Sequence, residues 1–235
     1  MARGYYGCRR GYEMIEFKNI NKTYTLGKNN TVFALKDINV KFKEGSVVVL
    51  KGASGSGKSS ILSLVSAISK PTSGEVIVDE KQISKLSDKF ASEYRLNNIG
   101  IVFQKYNLIE DLSALQNVIL PLIPKNIDAD ILEKKVDSVL DMFGISQYKN
   151  TTVKNLSGGE QQRVAIARAY INEPKIIIAD EPTANLDEKL SLDFIDIIKE
   201  LKSNNKTVII ATHDPLFFDL DFVDQYVEMK DGQVV

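Results

Sequence analysis

The chain lacks what several classes of protein need. It has one cysteine, Cys8, in 235 residues. No intramolecular disulfide can form and no cysteine cluster can hold zinc, so a reducing, intracellular setting is the simplest expectation. No apolar run approaches the ~20 residues that cross a bilayer, and the longest apolar strings have the length of strands. Charge of either sign is not in excess: 30 basic against 31 acidic side chains give a formal net charge of −1. With no basic stripe there is no general attraction to nucleic acid or to an anionic membrane. What remains is 43% apolar residues, enough to bury the core of one large α/β domain or of a core with a smaller subdomain.

Residues 1–13, crowded with Arg, Gly and Tyr, do not resemble the rest of the chain. They lack the apolar stretch of a secretory signal. They read as a disordered leader, a cloning remnant or a mis-set start, with an Arg/Tyr arm that binds a partner as the alternative. A clean strand pattern opens at Met14, and residues 14–235 are expected to form the domain.

The chain is organised around residues 52–60, GASGSGKSS, in which Gly52, Gly57, Lys58 and Ser59 fit G-x-x-x-x-G-K-S. The apolar run Val47–Leu50 before it suits a strand buried on both faces. Ile61, Leu62, Leu64, Val65 and Ile68 after it fall on one helical face. Strand, glycine loop and helix in that order separate a phosphate loop from a chance match. The glycines let successive N–H groups converge on phosphate oxygens, and the helix start adds unsatisfied N–H groups and the positive dipole end. Lys58 is expected on the β- and γ-phosphates and the Ser59 hydroxyl on Mg²⁺. Ser54, Gly55, Ser56 and Ser60 complete the expected nucleotide cradle.

Alternating runs at 14–20 and 32–40, with a Gly/Asn loop at 27–30 between them, predict an antiparallel sheet leading into this unit. Pro71–Gly74 is expected to end the first helix, with a strand at 75–78. A helix at 85–98 and a strand at 99–103 come next. Residues 105–155 read as a helical insertion. Within it Ile131, Leu132, Val136, Val139, Leu140 and Phe143 share a face and Gly144 is a C-terminal cap, while Pro121 and Pro124 keep 121–126 out of any helix interior. Then come a helix at 160–171, a strand at 176–179, a helix facing inward with Leu190, Phe194, Ile197, Ile198 and Leu201, a strand at 207–212 and a hairpin at Asp231-Gly232. Strands alternating with helices predict a mostly parallel sheet covered on both faces.

Asp180 and Glu181 end an apolar strand, where ligands sit in open α/β sheets. Asp180 is placed to hold Mg²⁺, and Glu181 to polarise water or take its proton; a solvated acidic pair is the plain alternative. In LSGGEQQR, residues 156–163, Ser157 and Glu160 have the spacing of a capping box. The two glycines leave that helix start bare for an anion. A second phosphate-receptive helix start, in a chain whose first loop already cradles a nucleotide, suggests service to a nucleotide held by another copy of the chain.

These motifs, with Gln104, IIIADE at 176–181, Asn185-Leu186-Asp187 and His213, resemble the nucleotide-binding subunit of ATP-binding-cassette (ABC) transporters over residues 14–235. The resemblance implies an α/β P-loop NTPase core with an N-terminal antiparallel β subdomain and an inserted helical subdomain. It implies an ATPase using ATP and Mg²⁺, in which two copies pair head to tail around two ATP. The P-loop of one faces Ser157, Gly158, Gly159 and Glu160 of the other. It implies that Tyr24 stacks on adenine and that Gln104 senses Mg²⁺ and the attacking water. Asp187 crosses the dimer interface, His213 contacts the γ-phosphate, and Lys58 and Glu181 act in hydrolysis. The partners implied are a second copy and a separate integral membrane permease at the cytoplasmic face of the cell membrane, with no nucleic acid.

Within the family, residues 103–109 and 117–122 look like the branch of macrolide-export, lipoprotein-release, cell-division and peptide-antibiotic-resistance ATPases. That branch implies a peptide, lipoprotein or drug-like substrate, or signalling to a membrane partner without transport.

Overall fold

The computed structural model describes residues 12–26, 30–184 and 186–235. The leader up to residue 11, the loop at 27–29 and Asn185 lie outside them.

The chain opens with two long strands, β1 (Glu13–Leu26) and β2 (Asn30–Lys43), paired antiparallel. Tyr12, expected in the leader, is already part of the fold: its carbonyl accepts from Glu44 N at 2.9 Å. The alternation expected from Met14 changes phase midway. Ile15 and Phe17 are buried, then Ile20, because the register shifts between Phe17 and Ile20 and Asn19 takes a φ of 49°.

The chain then enters β3 (Val47–Lys51) and helix α1 (Lys58–Val65). Helix α1 stops at Val65, well before Pro71, so Ile68 projects outward at 58% exposure instead of extending the buried face. Next come β4 (Ser73–Val78), β5 (Lys81–Gln82), α2 (Asp88–Asn98) and β6 (Ile99–Val102). Residues 103–113 are turn and loop, not helix, before α3 (Ala114–Ile119) and α4 (Ala129–Met142).

Between those helices Leu120–Lys125 forms a 3₁₀ helix with Pro124 inside it, against the expectation for 121–126. Proline's fixed φ suits 3₁₀ dihedrals, and a run this short needs few bonds. Ile131, in the first turn of α4, is 60% exposed while Val136, Val139, Leu140 and Phe143 are buried. Gly144 comes next with φ 65°, as a C-terminal cap requires.

Helix α5 (Gly158–Tyr170), β7 (Ile176–Asp180), α6 (Glu188–Ser203), β8 (Thr207–Thr212), β9 (Gln225–Lys230) and β10 (Gln233–Val234) complete the chain. One sheet, ordered β2-β1-β4-β5, is antiparallel. The other, ordered β10-β9-β3-β8-β7-β6, is parallel except for the terminal hairpin of β9 and β10.

The central strands are apolar along their interiors because both faces are covered; the polar residues stand at their ends. Val47 and Val49 face the layer of α3 to α6, with Val208, Ile210, Ile177 and Ala179. Val48 and Leu50 face α1 and the antiparallel sheet, with Ile209, Ala211, Ile176 and Ile178. Parallel pairing brings the carboxyl ends of β3, β8, β7 and β6 to one edge, where the polar residues gather.

Candidate nucleotide site

Lys51 ends β3, and the loop from Gly52 to Gly57 turns directly into α1. Two of its glycines are fixed by close backbone. A Cβ at Gly52 would lie 2.3 Å from the Met229 carbonyl oxygen, and one at Gly57 2.7 Å from that of Ala34. Both also take left-handed φ values, 151° and 107°. Ser54 and Gly55 are exposed at the crest, and nothing lies within 4 Å of a Cβ at Gly55. Gly232 N, in the terminal hairpin, donates to Ser56 O at 3.1 Å and braces the loop.

Helix α1 has no side-chain cap and no acidic residue in its first turn, so its leading N–H groups stay available to an anion. Lys58 is buried, and its Nζ donates to Gly52 O at 2.7 Å and Ala53 O at 3.1 Å.

The carboxylates close on this loop. Ser59 Oγ donates to Asp180 Oδ1 at 3.1 Å. Burial, helped by the neighbouring Glu181 charge, pushes the Asp180 carboxyl above the ordinary range against the Ser59 hydrogen bond and Lys58. Glu181 stands one residue on, with a left-handed φ of 45° fixed by its N–H donating to Ala211 O at 2.8 Å. Its Oε1 lies 3.5 Å from Lys58 Nζ. Its Oε2 lies 3.0 Å from His213 Nδ1 and accepts from His213 N at 3.2 Å. Lys58, Ser59, Asp180, Glu181 and His213 thus form one constellation from three neighbouring parallel strands.

Gln104 stands just after β6, two residues past Val102, which pairs with Ala179. It is exposed in a turn held from α5 by Arg168, which donates to the carbonyls of Tyr106 and Asn107. Tyr24 lies on β1 opposite Val32 and beside α1. Burial raises its hydroxyl pKa, but the hydroxyls of Ser60, Ser63 and Ser69 and the Lys22 charge outweigh burial and bring it below the ordinary phenol range. Lys22 Nζ sits 4.6 Å over the ring centroid, so one face of the expected adenine platform is already covered.

Ser157 and Glu160 are not drawn into this constellation. They form a capping box: Ser157 Oγ accepts from Glu160 N at 3.4 Å and Glu160 Oε2 from Ser157 N at 2.7 Å. Tyr148 and this cap hold the Glu160 carboxyl below the ordinary range. Gly158 is exposed and open. Gly159 corrects the expectation of two bare glycines: it is buried, and a Cβ there would lie 2.4 Å from Leu190 Cδ2. Packing against α6 fixes Gly159; only Gly158 leaves the helix start uncovered. Asp187 caps α6, accepting from Leu190 N at 2.9 Å.

Three polar residues that the sequence did not single out also join the site. Gln162 Nε2 donates to Pro182 O at 3.1 Å, and Thr183 Oγ1 donates to Asp214 Oδ2 at 2.8 Å. Gln162 and Thr183 are buried. Gln162 lies within the LSGGEQQR stretch, and Thr183 and Asp214 stand within two residues of Glu181 and His213; that proximity is their only trace in the sequence.

The residues fit a magnesium nucleotide. Ser59 and Asp180 supply hard oxygen donors, and Ser56 Oγ is buried in the loop without a partner among the described residues. No group of three or more His, Cys, Asp or Glu that could hold a metal occurs among the described residues. Mg²⁺ is ordinarily held by one or two protein oxygens, such as those of Ser59 and Asp180, and takes its other ligands from phosphate and water.

Residues 35–184 match the family model described as ABC transporter. The chain is 42% identical, over 94% of its length and 95% of the relative's, to the ABC transporter ATP-binding protein MJ0796 of Methanocaldococcus jannaschii. It is 40% identical to the macrolide export ATP-binding/permease protein MacB of Chlorobaculum tepidum, over 94% of this chain and 34% of that longer protein. The dimeric structure of MJ0796 bound to ADP and Pi, a post-hydrolysis state, superposes with a TM-score of 0.85 at 41% identity, covering 94% of this chain and 96% of that one. The cbiO1 subunit from Clostridium perfringens, part of the transporter complex cbiONQ, superposes with a TM-score of 0.82 at 34% identity, covering 95% and 87%. With the phosphate loop, the paired carboxylates and the Ser-Gly-Gly helix start in this order on this fold, the chain belongs to the ABC transporter family and is one of its ATPase cassettes.

Proposed function

We propose that the chain hydrolyses ATP in a head-to-tail dimer and thereby drives a separate membrane permease that exports or extracts a peptide, lipoprotein or drug-like molecule. The observation that carries this reading is the start of α5. Ser157 and Glu160 cap each other and Gly158 stands open, yet none of them bonds to the phosphate loop, Glu181 or His213 among the described residues. An anion-receptive helix start that its own nucleotide site does not use is suited to a nucleotide on a second copy.

In this reading each residue takes a role that its place supports. The Gly52–Gly57 backbone and the first turn of α1 bind the phosphates, with Ser54, Gly55, Ser56 and Ser60 along the cradle. Lys58 takes the β- and γ-phosphate charge. Ser59 and Asp180, with Gln104 beside them, hold Mg²⁺, which when bound neutralises phosphate charge. Glu181 orients the attacking water and accepts its proton, and His213 steadies that carboxylate and faces the γ-phosphate. Tyr24 packs on the adenine with the face that Lys22 leaves open. The partner copy contributes its Ser157–Glu160 helix start.

No helix among the described residues is long and apolar enough to cross a membrane. In this reading a membrane permease holds the cassette at the cytoplasmic face.

Mixing two inactive variants tests the shared site. Lys58→Met and Gly158→Asp each disable both sites of their own homodimer, whereas a mixed dimer rebuilds one intact site. Recovery of ATP turnover on mixing is expected; no recovery overturns the shared-site reading.

A further inference from the structure

The loop that carries Glu181 is held in an unfavourable shape, and two of the residues that hold it, Thr183 and Asp214, lie outside the recognised motifs. Glu181 has a φ of 45° and precedes Pro182. Left-handed backbone costs a non-glycine residue energy, and such a conformation persists only where the surroundings over-determine it.

Beside the bond from Glu181 N to Ala211 O, two links supply that constraint. Gln162 of α5 donates to the Pro182 carbonyl at 3.1 Å. Thr183, 4% exposed, donates to Asp214 Oδ2 at 2.8 Å across 31 residues of sequence. Asp214 is itself fixed: its Oδ1 accepts from Leu216 N at 3.0 Å, and its N–H donates to Thr212 Oγ1 at 3.0 Å. The Glu181 loop and the His213 loop are thus joined at two levels. Glu181 meets His213 through side chain and backbone, and one step beyond, Thr183 meets Asp214. A cap for Leu216 needs only one oxygen of Asp214; the other is committed to Thr183.

We propose that Thr183 and Asp214 are positioning residues that keep the Glu181 carboxylate and the His213 ring in register for attack on the γ-phosphate. The proposal rests on the ATPase reading of the site. A hydroxyl-to-carboxylate bond is charge-assisted and directional, so it fixes the separation of the two loops as an apolar contact would not. Without it Glu181 can relax from its left-handed shape. Small displacements of a positioned group cost ~100-fold in rate where geometry governs the step.

The test compares steady-state ATP turnover and thermal midpoints of wild type, Thr183→Val, Thr183→Ser, Asp214→Asn and the Val/Asn double variant. Thr183→Val keeps the shape and removes the donor. Its kcat is expected to fall ~10- to 100-fold with KM for ATP within about twofold. Thr183→Ser is expected to recover most of that loss. Asp214→Asn keeps an oxygen for the Leu216 cap but takes the charge out of the Thr183 bond, so it should lower kcat by less than Thr183→Val, and the double variant should be no slower than Thr183→Val alone, since both changes act on one bond. Unchanged kcat in Thr183→Val, a serine variant as slow as the valine one, or additive losses in the double variant would overturn the proposal. Should the valine variant fail to fold, Asp214→Asn against Thr183→Ser decides. A wild-type protein that does not hydrolyse ATP defeats the ATPase reading itself; a wild type that does, beside an equally fast Thr183→Val, defeats this proposal alone.

Discussion

Lys58 of the phosphate loop and Glu181 at the end of β7 form an ion pair, Nζ to Oε1 at 3.5 Å. Lys58 is almost fully buried, so this carboxylate and the carbonyls of Gly52 and Ala53 are its partners. Under the proposed roles, a phosphate group would offer the ammonium a stronger partner and draw it off Glu181, freeing the carboxylate for water, so that binding and activation of the base would be coupled through one side chain.

Glu181→Gln separates the two. The amide still accepts from His213 and carries no charge to attract a proton. The variant is expected to bind ATP, to lose ~100-fold or more in turnover, as removal of a general base typically does, and to accumulate as an ATP-dependent dimer. Light scattering with and without ATP reads the dimer. Retained turnover would remove Glu181 from the role of base.

Asp180 carries a stability cost, which its proposed role at Mg²⁺ would require. Its carboxyl is held above the ordinary range chiefly by burial, so the folded chain keeps the proton to a higher pH than the unfolded chain does. The cost of ionising it is absent below the unfolded value, grows as pH rises from the unfolded to the folded value, and is complete above the folded one. Asp180→Asn removes the charge and can still accept from Ser59. It is expected to raise the thermal midpoint by a few degrees near pH 7 and by less towards about pH 4, while abolishing Mg²⁺-dependent hydrolysis. Melting curves across that range check the sign; a midpoint that falls at neutral pH would show that the charge stabilises the fold.

The parts of the site legible in the sequence are those fixed by local geometry. The phosphate loop needs glycine where β9 and β2 pass at Gly52 and Gly57, so its pattern survives in one dimension. The apolar strands 176–180 and 207–212 announce their own burial and place Asp180, Glu181 and His213 at one edge. What was not legible depends on distant packing. Thr183 and Asp214 meet across 31 residues, and nothing in either neighbourhood signals the other. Gly159 reads like Gly158 until Leu190 of α6 is seen against it. Ile68 and Ile131 fit the helical period but lie beyond the end of α1 or on the outer side of α4, where no second layer covers them.

Tyr24 tests how the base is held. Its ring is 37% exposed, with Lys22 over it. Tyr24→Ala should weaken ATP binding by about 1–3 kcal/mol, the worth of one base–aromatic stack, whereas Tyr24→Phe should stay close to wild type. Titration with ATP and with triphosphate alone distinguishes stacking from phosphate binding, since only ATP should feel the change. Equal losses for both ligands would place the effect in α1, beside which the Tyr24 hydroxyl lies.

The two glycines at the start of α5 give opposite expectations, and the pair discriminates fold from function. Gly159→Ala brings a methyl carbon to 2.4 Å from Leu190 Cδ2, so that half-buried side chain must turn aside; a destabilisation of about 1 kcal/mol or less is expected, with activity falling only as the fold weakens. Gly158→Ala meets nothing within 4 Å inside the chain. Its thermal midpoint should match wild type, and its Cβ should obstruct only what approaches from outside, lowering ATP-dependent dimerisation and turnover by ~10-fold or more if a phosphate must reach the N–H groups there. Chemical denaturation beside sedimentation in ATP measures both. A Gly158→Ala variant that dimerises and turns over normally would mean that the open helix start receives no phosphate. The α5 capping box would then serve only to begin a helix.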